Sequence, residues 1–217
     1  MGEAVAERGD LGGAQGCIEV SGPPAPPPVL LASTSPQRRA ILAQLGIPFD
    51  VVAPRYDEVD PSEAGATALV CEHARGKAES VAGEADGRPV LGVDTTVVLG
   101  GRIYGKPTDA GAAVRMLEEL SGRTHAVVSG LCLIAPGWDV VEAATTLVTF
   151  RPLTPRDLGL YVAAGEWEGR AGGYAIQGLG AALVERVEGD YLNVVGLPGA
   201  LLVRLLAGRF AGVYGFG

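Results

Sequence analysis

Lysine is almost missing from this chain. Of its 17 basic residues only Lys77 and Lys106 are lysine, and the rest are arginine. Arginine's planar fork serves most surface roles, whereas a compact ammonium on a flexible stem meets a phosphate oxygen or a shared carboxylate differently, so both lysines are candidates for a specific task. Cysteine is sparse too. Cys17, Cys71 and Cys132 are odd in number, far apart and form no Cys-x-x-Cys pair, which excludes a disulfide framework or a zinc knuckle and fits a reducing, cytoplasmic setting. Histidine occurs only as His73 and His125, too few for a histidine-rich zinc site, and without a Gly-x-Ser-x-Gly elbow a hydrolase triad is not indicated. No apolar run approaches the roughly 18 residues a membrane span needs, since Arg204 interrupts the longest late stretch, Ala200 to Ala207. Positive charge is short overall. With 25 acidic against 17 basic residues the net charge is -8, which argues against a duplex nucleic-acid binder and requires any phosphate site to be positive locally.

What is present suffices for a core. The 217 residues are 47% hydrophobic, enough for one substantial domain. Residues 1 to 28 carry mixed charges, several glycines and the run Pro23-Pro24-Ala25-Pro26-Pro27-Pro28, which reads as a disordered or polyproline extension before a single domain at 29–217. From Val29 the pattern alternates. A strand at Val29 to Ala32 leads to a helix opened by Ser35-Pro36 and closed by Gly46, then a strand at Phe49 to Ala53 and a helix over Ser62 to Ala82. Lys77 borders the apolar stripe of that helix, its ammonium reaching outward. Val90 to Leu99 is a strand, Gly100-Gly101 a two-residue hairpin turn into Arg102-Ile103-Tyr104, and Thr108 the cap of a helix to Leu120. Strands follow at Ala126 to Ile134 and Val140 to Arg151, then a helix with a Thr154–Asp157 capping box, strands near Ala181 to Val187 and Tyr191 to Val195, and a terminal helix from Pro198. The mixture of hairpins and crossovers predicts an α/β (α+β) fold with a mixed twisted sheet and flanking helices.

Candidate chemistry starts at Leu31-Ala32-Ser33-Thr34-Ser35-Pro36-Gln37-Arg38. A hydroxyl-rich loop running into a helix gathers free N–H groups, the positive helix end and Arg38 where an anion could sit, or simply caps the helix. It lacks the glycine and lysine pattern of a P-loop. Asp94 stands inside the apolar strand Gly92-Val93-Asp94-Thr95-Thr96-Val97-Val98, and an unpaired buried carboxylate costs several kcal/mol, so donors, a cation, a metal ion or a wet cleft must lie beside it. If Gly100-Gly101 forms the turn, Thr95 faces Lys106 and Asp94 faces Pro107; Lys106 is then near Asp94 but on the other face unless a bulge at Gly105 re-aims it. His125, in Ser121-Gly122-Arg123-Thr124-His125, reads as structural. Gln177, in Tyr174-Ala175-Ile176-Gln177-Gly178, either reads a base edge with its paired donor and acceptor or braces its loop.

The order of these stretches resembles the Maf family of nucleoside triphosphate pyrophosphatases from Val29 to about Leu206. The match runs through Leu-Ala-Ser-x-Ser-Pro-x-Arg, Glu58, Lys77, Gly-x-Asp-Thr at Asp94, Lys106-Pro107, Ser-Gly-Arg-x-His, Ala-Gly-x-Tyr-x-Ile-Gln-Gly and Asn193-Val-Val-Gly-Leu-Pro198. The resemblance implies a two-lobed fold around a cleft, like that of the inosine triphosphate pyrophosphatases, and metal-dependent hydrolysis of a nucleoside triphosphate to monophosphate and pyrophosphate. It implies Asp94 as general base, Glu58 with Asp94 as ligands of Mg2+ or Mn2+, and Ser33, Ser35, Arg38, Lys77 and Lys106 on the phosphate chain. Thr95 and Gln177 would lie near the base, in the manner of the branch acting on dTTP and UTP, and a homodimer is implied as well. Two positions depart from that pattern: Gln37 stands where an arginine is usual, and Arg170 where a lysine is usual. Two other readings remain open at this level, a nucleotide-sensing regulator of division without turnover and a pyrophosphatase for damaged purine nucleotides.

Overall fold

The two most apolar early runs become neighbouring parallel strands, and the rest of the molecule is arranged around them. The computed structural model describes residues 26–58 and 65–216. Strand β1 (Val29–Ala32), buried throughout, pairs in parallel with β2 (Phe49–Val52) on one side and with β3 (Val90–Leu99) on the other. The Gly100-Gly101 hairpin returns as β4 (Arg102–Tyr104) on the same edge of β3 as β1, while the other edge of β3 pairs antiparallel with β5 (Thr124–Ala135). Antiparallel strands β6 (Trp138–Phe150) and β7 (Val184–Glu188) complete a seven-stranded mixed sheet, ordered β2-β1-β3-β5-β6-β7 with β4 beside β3.

Helices cover the two ends of this sheet differently. At the β1 end, α1 (Pro36–Gln44) and α6 (Gly199–Arg209) bury Ile41, Leu42, Leu202 and Leu206 against Leu31, Val93 and Leu131. On the opposite face, α2 (Ala66–Glu79) sets Ala74 and Ala78 against Leu30, Ala32, Val90 and Cys132. A second core at the other end joins α3 (Ala110–Leu120) and α4 (Pro155–Ala163) through Leu117, Leu120, Phe150, Leu158, Tyr161 and Tyr174. Each fully buried leucine or phenylalanine contributes about 1.5–3 kcal/mol. The sequence pattern predicted this mixed α/β architecture.

Two glycines let α2 lie directly on the sheet. A Cβ on Gly92 of β3 would overlap the carbonyl oxygen of Ala74, and one on Gly130 of β5 would overlap that of Val70. Gly130 is the register partner of Asp94. Small residues at this crossing therefore bring the helix backbone close enough for its side chains to reach Asp94.

Several expectations are corrected. Tyr191–Val195 is a short helix, α5, and not a strand: Asp190 caps it through Leu192 N–H at 2.8 Å, and Gly196 ends it at φ 129°. Tertiary packing outweighs the β-leaning valines there, because Asn193 must reach the Val127 carbonyl and the Thr146 hydroxyl. The stretch expected as a strand from Ala181 starts as a 3-10 turn, Leu179–Leu183, before β7. Asp109, not Thr108, caps α3, its carboxylate accepting from Ala112 N–H at 2.7 Å. The start expected for the long helix at Ser62 lies outside the described residues, as does the expected extension up to residue 25, while Pro27 accepts a hydrogen bond from the Tyr214 hydroxyl.

Candidate active site

The β3 strand has a gap along one edge. There β1 pairs with it only at Val90 and Leu91, and β4 only at Val97, Val98 and Leu99. The five residues between, 92 to 96, have no strand partner on that side among the described residues, while the β5 side is paired throughout. Successive side chains of a strand point to opposite faces, but both faces of this stretch border the opening. Asp94 and Thr95, adjacent in sequence, therefore point to opposite faces of the sheet beside this opening.

On the α2 face, Lys77 projects from the helix onto two carboxylates. Its ammonium donates to Asp94 Oδ1 at 2.6 Å and pairs with Glu58 Oε1 at 2.6 Å. Lys77 is 6% exposed, so the expectation that its ammonium points outward is wrong: it points inward, onto the partly buried carboxylate of Asp94 and onto Glu58. Burial pushes the Glu58 carboxyl upward most strongly, but the Lys77 hydrogen bond and the charges of Lys77 and Lys106 together hold it below the usual range. His73, one helical turn before Lys77, presents Nδ1 3.5 Å from Asp94 Oδ2, with its ring edge-on to Tyr56.

The hydroxyl loop after β1 closes the cleft. Ser33 Oγ accepts from Ser35 N–H and from the Arg38 guanidinium, each at 3.2 Å, and Ser35 Oγ accepts from Arg38 N–H at 3.4 Å as the cap of α1. Arg38 is fixed further by donating to the Gly196 carbonyl at 2.9 Å. Burial lowers its pKa from arginine's usual value, opposed by the fields of Asp94 and Glu58. The expected capping is present, Ser35 Oγ taking the Arg38 N–H, and the Arg38 guanidinium is drawn onto the same loop at Ser33. Ser35 also donates to Gln37 Oε1 at 3.0 Å, and Gln37 lines the cleft as well.

Lys106 reaches the same cleft by a route the sequence described only in part. The hairpin register is as expected, with Val97 opposite Tyr104 and Leu99 opposite Arg102. The ladder then stops instead of bulging: the Gly105 carbonyl accepts from Gly172 N–H at 3.0 Å, and the chain leaves the strand. Thr95 therefore has no ladder partner in Lys106; on the other edge of β3 it pairs with Ser129, hydroxyl to hydroxyl at 2.8 Å. Lys106 and Arg170 line two adjoining hollows, one with Thr95 and Gln177 and one with Ser33, Glu58 and Lys77. The second holds about 380 Å³, inside the roughly 300–1,000 Å³ of small-molecule sites.

Ser33, Ser35, Arg38, Glu58, Lys77, Thr95, Lys106 and Gln177 thus line these adjoining hollows, with Asp94 joined to them through Lys77 and Gln177 exposed. His125 lies elsewhere: its Nε2 pairs with the Tyr174 hydroxyl at 2.9 Å inside the second core, and burial lowers its pKa to about 4. It steadies the segment bearing Gln177, with Tyr161, whose hydroxyl accepts from Ala175 N–H at 2.9 Å. His73 and Arg170 received no role from the sequence. His73 was legible in hindsight, four residues before Lys77 and so on the same helical face.

The molecule is thus an α/β protein whose cleft sets cations and hydroxyls beside a carboxylate pair bridged by Lys77. The chain belongs to the Maf family, whose model, described as Maf-like protein, matches residues 28–209. Among its relatives, a protein of Deinococcus radiodurans is 45% identical over 191 residues, spanning 88% of this chain and 96% of the relative. One of Gloeobacter violaceus is 49% identical over 82% of this chain and 94% of its own length, and one of Pyrococcus furiosus 42% identical over 82% and 93%. All three are named dTTP/UTP pyrophosphatase.

Proposed function

We propose that the chain is a nucleoside triphosphate pyrophosphatase that cleaves dTTP and UTP to the monophosphate and pyrophosphate. The names of its relatives support the reaction and the substrates. The observation that carries the residue roles is the carboxylate pair, Asp94 and Glu58, bridged by Lys77 next to the donor loop of Ser33, Ser35 and Arg38.

In this reading Asp94 accepts the proton of a water whose oxygen bonds to the α-phosphorus, while the bond from that phosphorus to the bridging oxygen breaks and pyrophosphate departs. Arg38, Lys77 and Lys106 hold the phosphate chain, with the hydroxyls of Ser33 and Ser35 beside it. One cation about 4 Å from a phosphate charge is worth about 4 kcal/mol at an effective dielectric near 20, so a few fixed cations override the net negative charge. Thr95 and Gln177 line the nucleoside end, where the amide offers both a donor and an acceptor to a pyrimidine edge.

The donor set also fits a divalent cation, Mg2+ or Mn2+. One oxygen each of Glu58 and Asp94, with a nitrogen of His73, lie within 4.8 Å of one another, and hard carboxylate oxygens suit such ions. Glu58 and Asp94 would hold the ion, which when bound neutralises developing phosphate charge.

The test is a panel of triphosphates incubated with the chain and Mg2+ or Mn2+, analysed by chromatography. Monophosphate and pyrophosphate from dTTP and UTP, lost in Asp94→Asn with an unchanged circular dichroism spectrum, is the expected result. Binding without product would favour a sensor, and product from inosine or methylated guanine nucleotides alone would reassign the base pocket.

A further inference from the structure

The carboxylate pair has a third neighbour of different chemistry. His73 is 2% exposed and sits on the face of α2 that carries Lys77, held against the sheet by the glycine crossing at Gly92 and Gly130. Lys77 takes Asp94 Oδ1 and Glu58 Oε1. The Asp94 oxygen left over, Oδ2, is the one 3.5 Å from His73 Nδ1. Two ligands bound at about 2.1 Å to one ion stand roughly 3 to 3.5 Å apart, so this separation suits two donors sharing a cation. In the tautomer with its proton on Nε2, Nδ1 offers a lone pair to the same point.

We propose that His73 is a third ligand of the divalent cation, forming with Asp94 and Glu58 a centre of two carboxylates and one imidazole that selects Mn2+ and later transition ions over Mg2+. This rests on the reading above that the carboxylate pair holds a divalent cation. The selection follows from ligand type. Magnesium prefers an all-oxygen octahedral shell, whereas an imidazole nitrogen adds affinity for transition ions in the Irving–Williams order. The Lys77 ammonium keeps two of its three N–H donors on Asp94 Oδ1 and Glu58 Oε1, which fixes the pair's orientation, and has the third for the phosphate chain.

The chain offers a direct spectroscopic test, because its only other histidine, His125, is committed to Tyr174 in the second core. Tag-free full-length protein is loaded with Mn2+ alone and examined by electron spin-echo envelope modulation, which detects a coordinated imidazole nitrogen. The expected result is nitrogen modulation in the wild type and none in His73→Leu. Calorimetric titration should show Mn2+ affinity falling at least about tenfold in that variant while Mg2+ affinity changes far less. Mn2+ that is bound and lost in both Asp94→Asn and Glu58→Gln, yet gives no nitrogen modulation, overturns the assignment of His73 and leaves the carboxylate site standing. Mn2+ binding indifferent to both carboxylate variants, or no binding at millimolar Mn2+, overturns the cation site and the inference with it. Should His73→Leu lose its fold, the wild-type spectrum decides by itself.

Discussion

The molecule's two histidines are buried to the same degree, 2% exposed for His73 and 1% for His125, and both have an aromatic ring edge-on, Tyr56 in one case and Tyr174 with Phe150 in the other. Their surroundings differ in every other respect. His125 meets a neutral phenol among apolar side chains, and burial alone drives its pKa down to about 4. His73 stands among Asp94, Glu58 and Lys77, where charge compensates charge. Burial of a polar ring therefore identifies nothing by itself. What marks a site is a set of ionised groups that satisfy one another at the edge of a cleft, kept there although an apolar replacement would fold as well.

That contrast is open to being broken at several points. The largest effect belongs to Asp94→Asn, which should lower turnover by about 10²–10⁴-fold, the range for a general base, with little change in melting temperature. A variant that keeps turnover removes Asp94 as the base. The next effect lies in the second core and concerns stability. His125 stays neutral in the folded state down to about pH 4, whereas in the unfolded chain it takes a proton near pH 6.5. Between those values the unfolded state binds more protons, so stability is intact above pH 6.5 and falls as the pH drops toward 4, by about 3 kcal/mol in all. In His125→Phe this part of the slope should vanish from denaturant titrations, and an unchanged slope would contradict the lowered pKa.

Gly130→Ala probes the link between sheet and helix. Its Cβ meets the Val70 carbonyl, so α2 must retreat, at a cost of about 1–3 kcal/mol. Lys77 and His73 retreat with it. Melting temperature and turnover should both fall, whereas a loss of stability alone would mean that the helix does not set the site. The smallest contrast is among cations. Lys77→Ala or Lys106→Ala should raise KM for the triphosphate, while Arg204→Ala, at an exposed pair with Glu142, should cost under about 0.5 kcal/mol and leave kinetics alone.

Much of this was legible before any coordinates. The Ser35-Pro36 cap, the Gly100-Gly101 register and the Thr154–Asp157 capping box are local signals, and local geometry answers to local sequence. The cluster of candidate residues was legible as an ordered series of motifs. What failed depended on partners distant in sequence. Asn193 belongs to a helix because its amide must reach Val127 and Thr146, which no run of five residues announces. The inward turn of Lys77 depends on the absence of side chains at Gly92 and Gly130, on strands separated from α2 in the chain.

The gap along β3 also has a consequence for size. Its two rims are the last residue of β1 and the last residue of β4, with Ser33 beyond the first and Lys106 beyond the second. The aperture is thus measured in rungs of a ladder. One more rung, Gly105 joined to Thr96, would narrow it without altering a single side chain of the site. The length of β4 thus sets where the open stretch of β3 ends, separately from the side chains that line the opening.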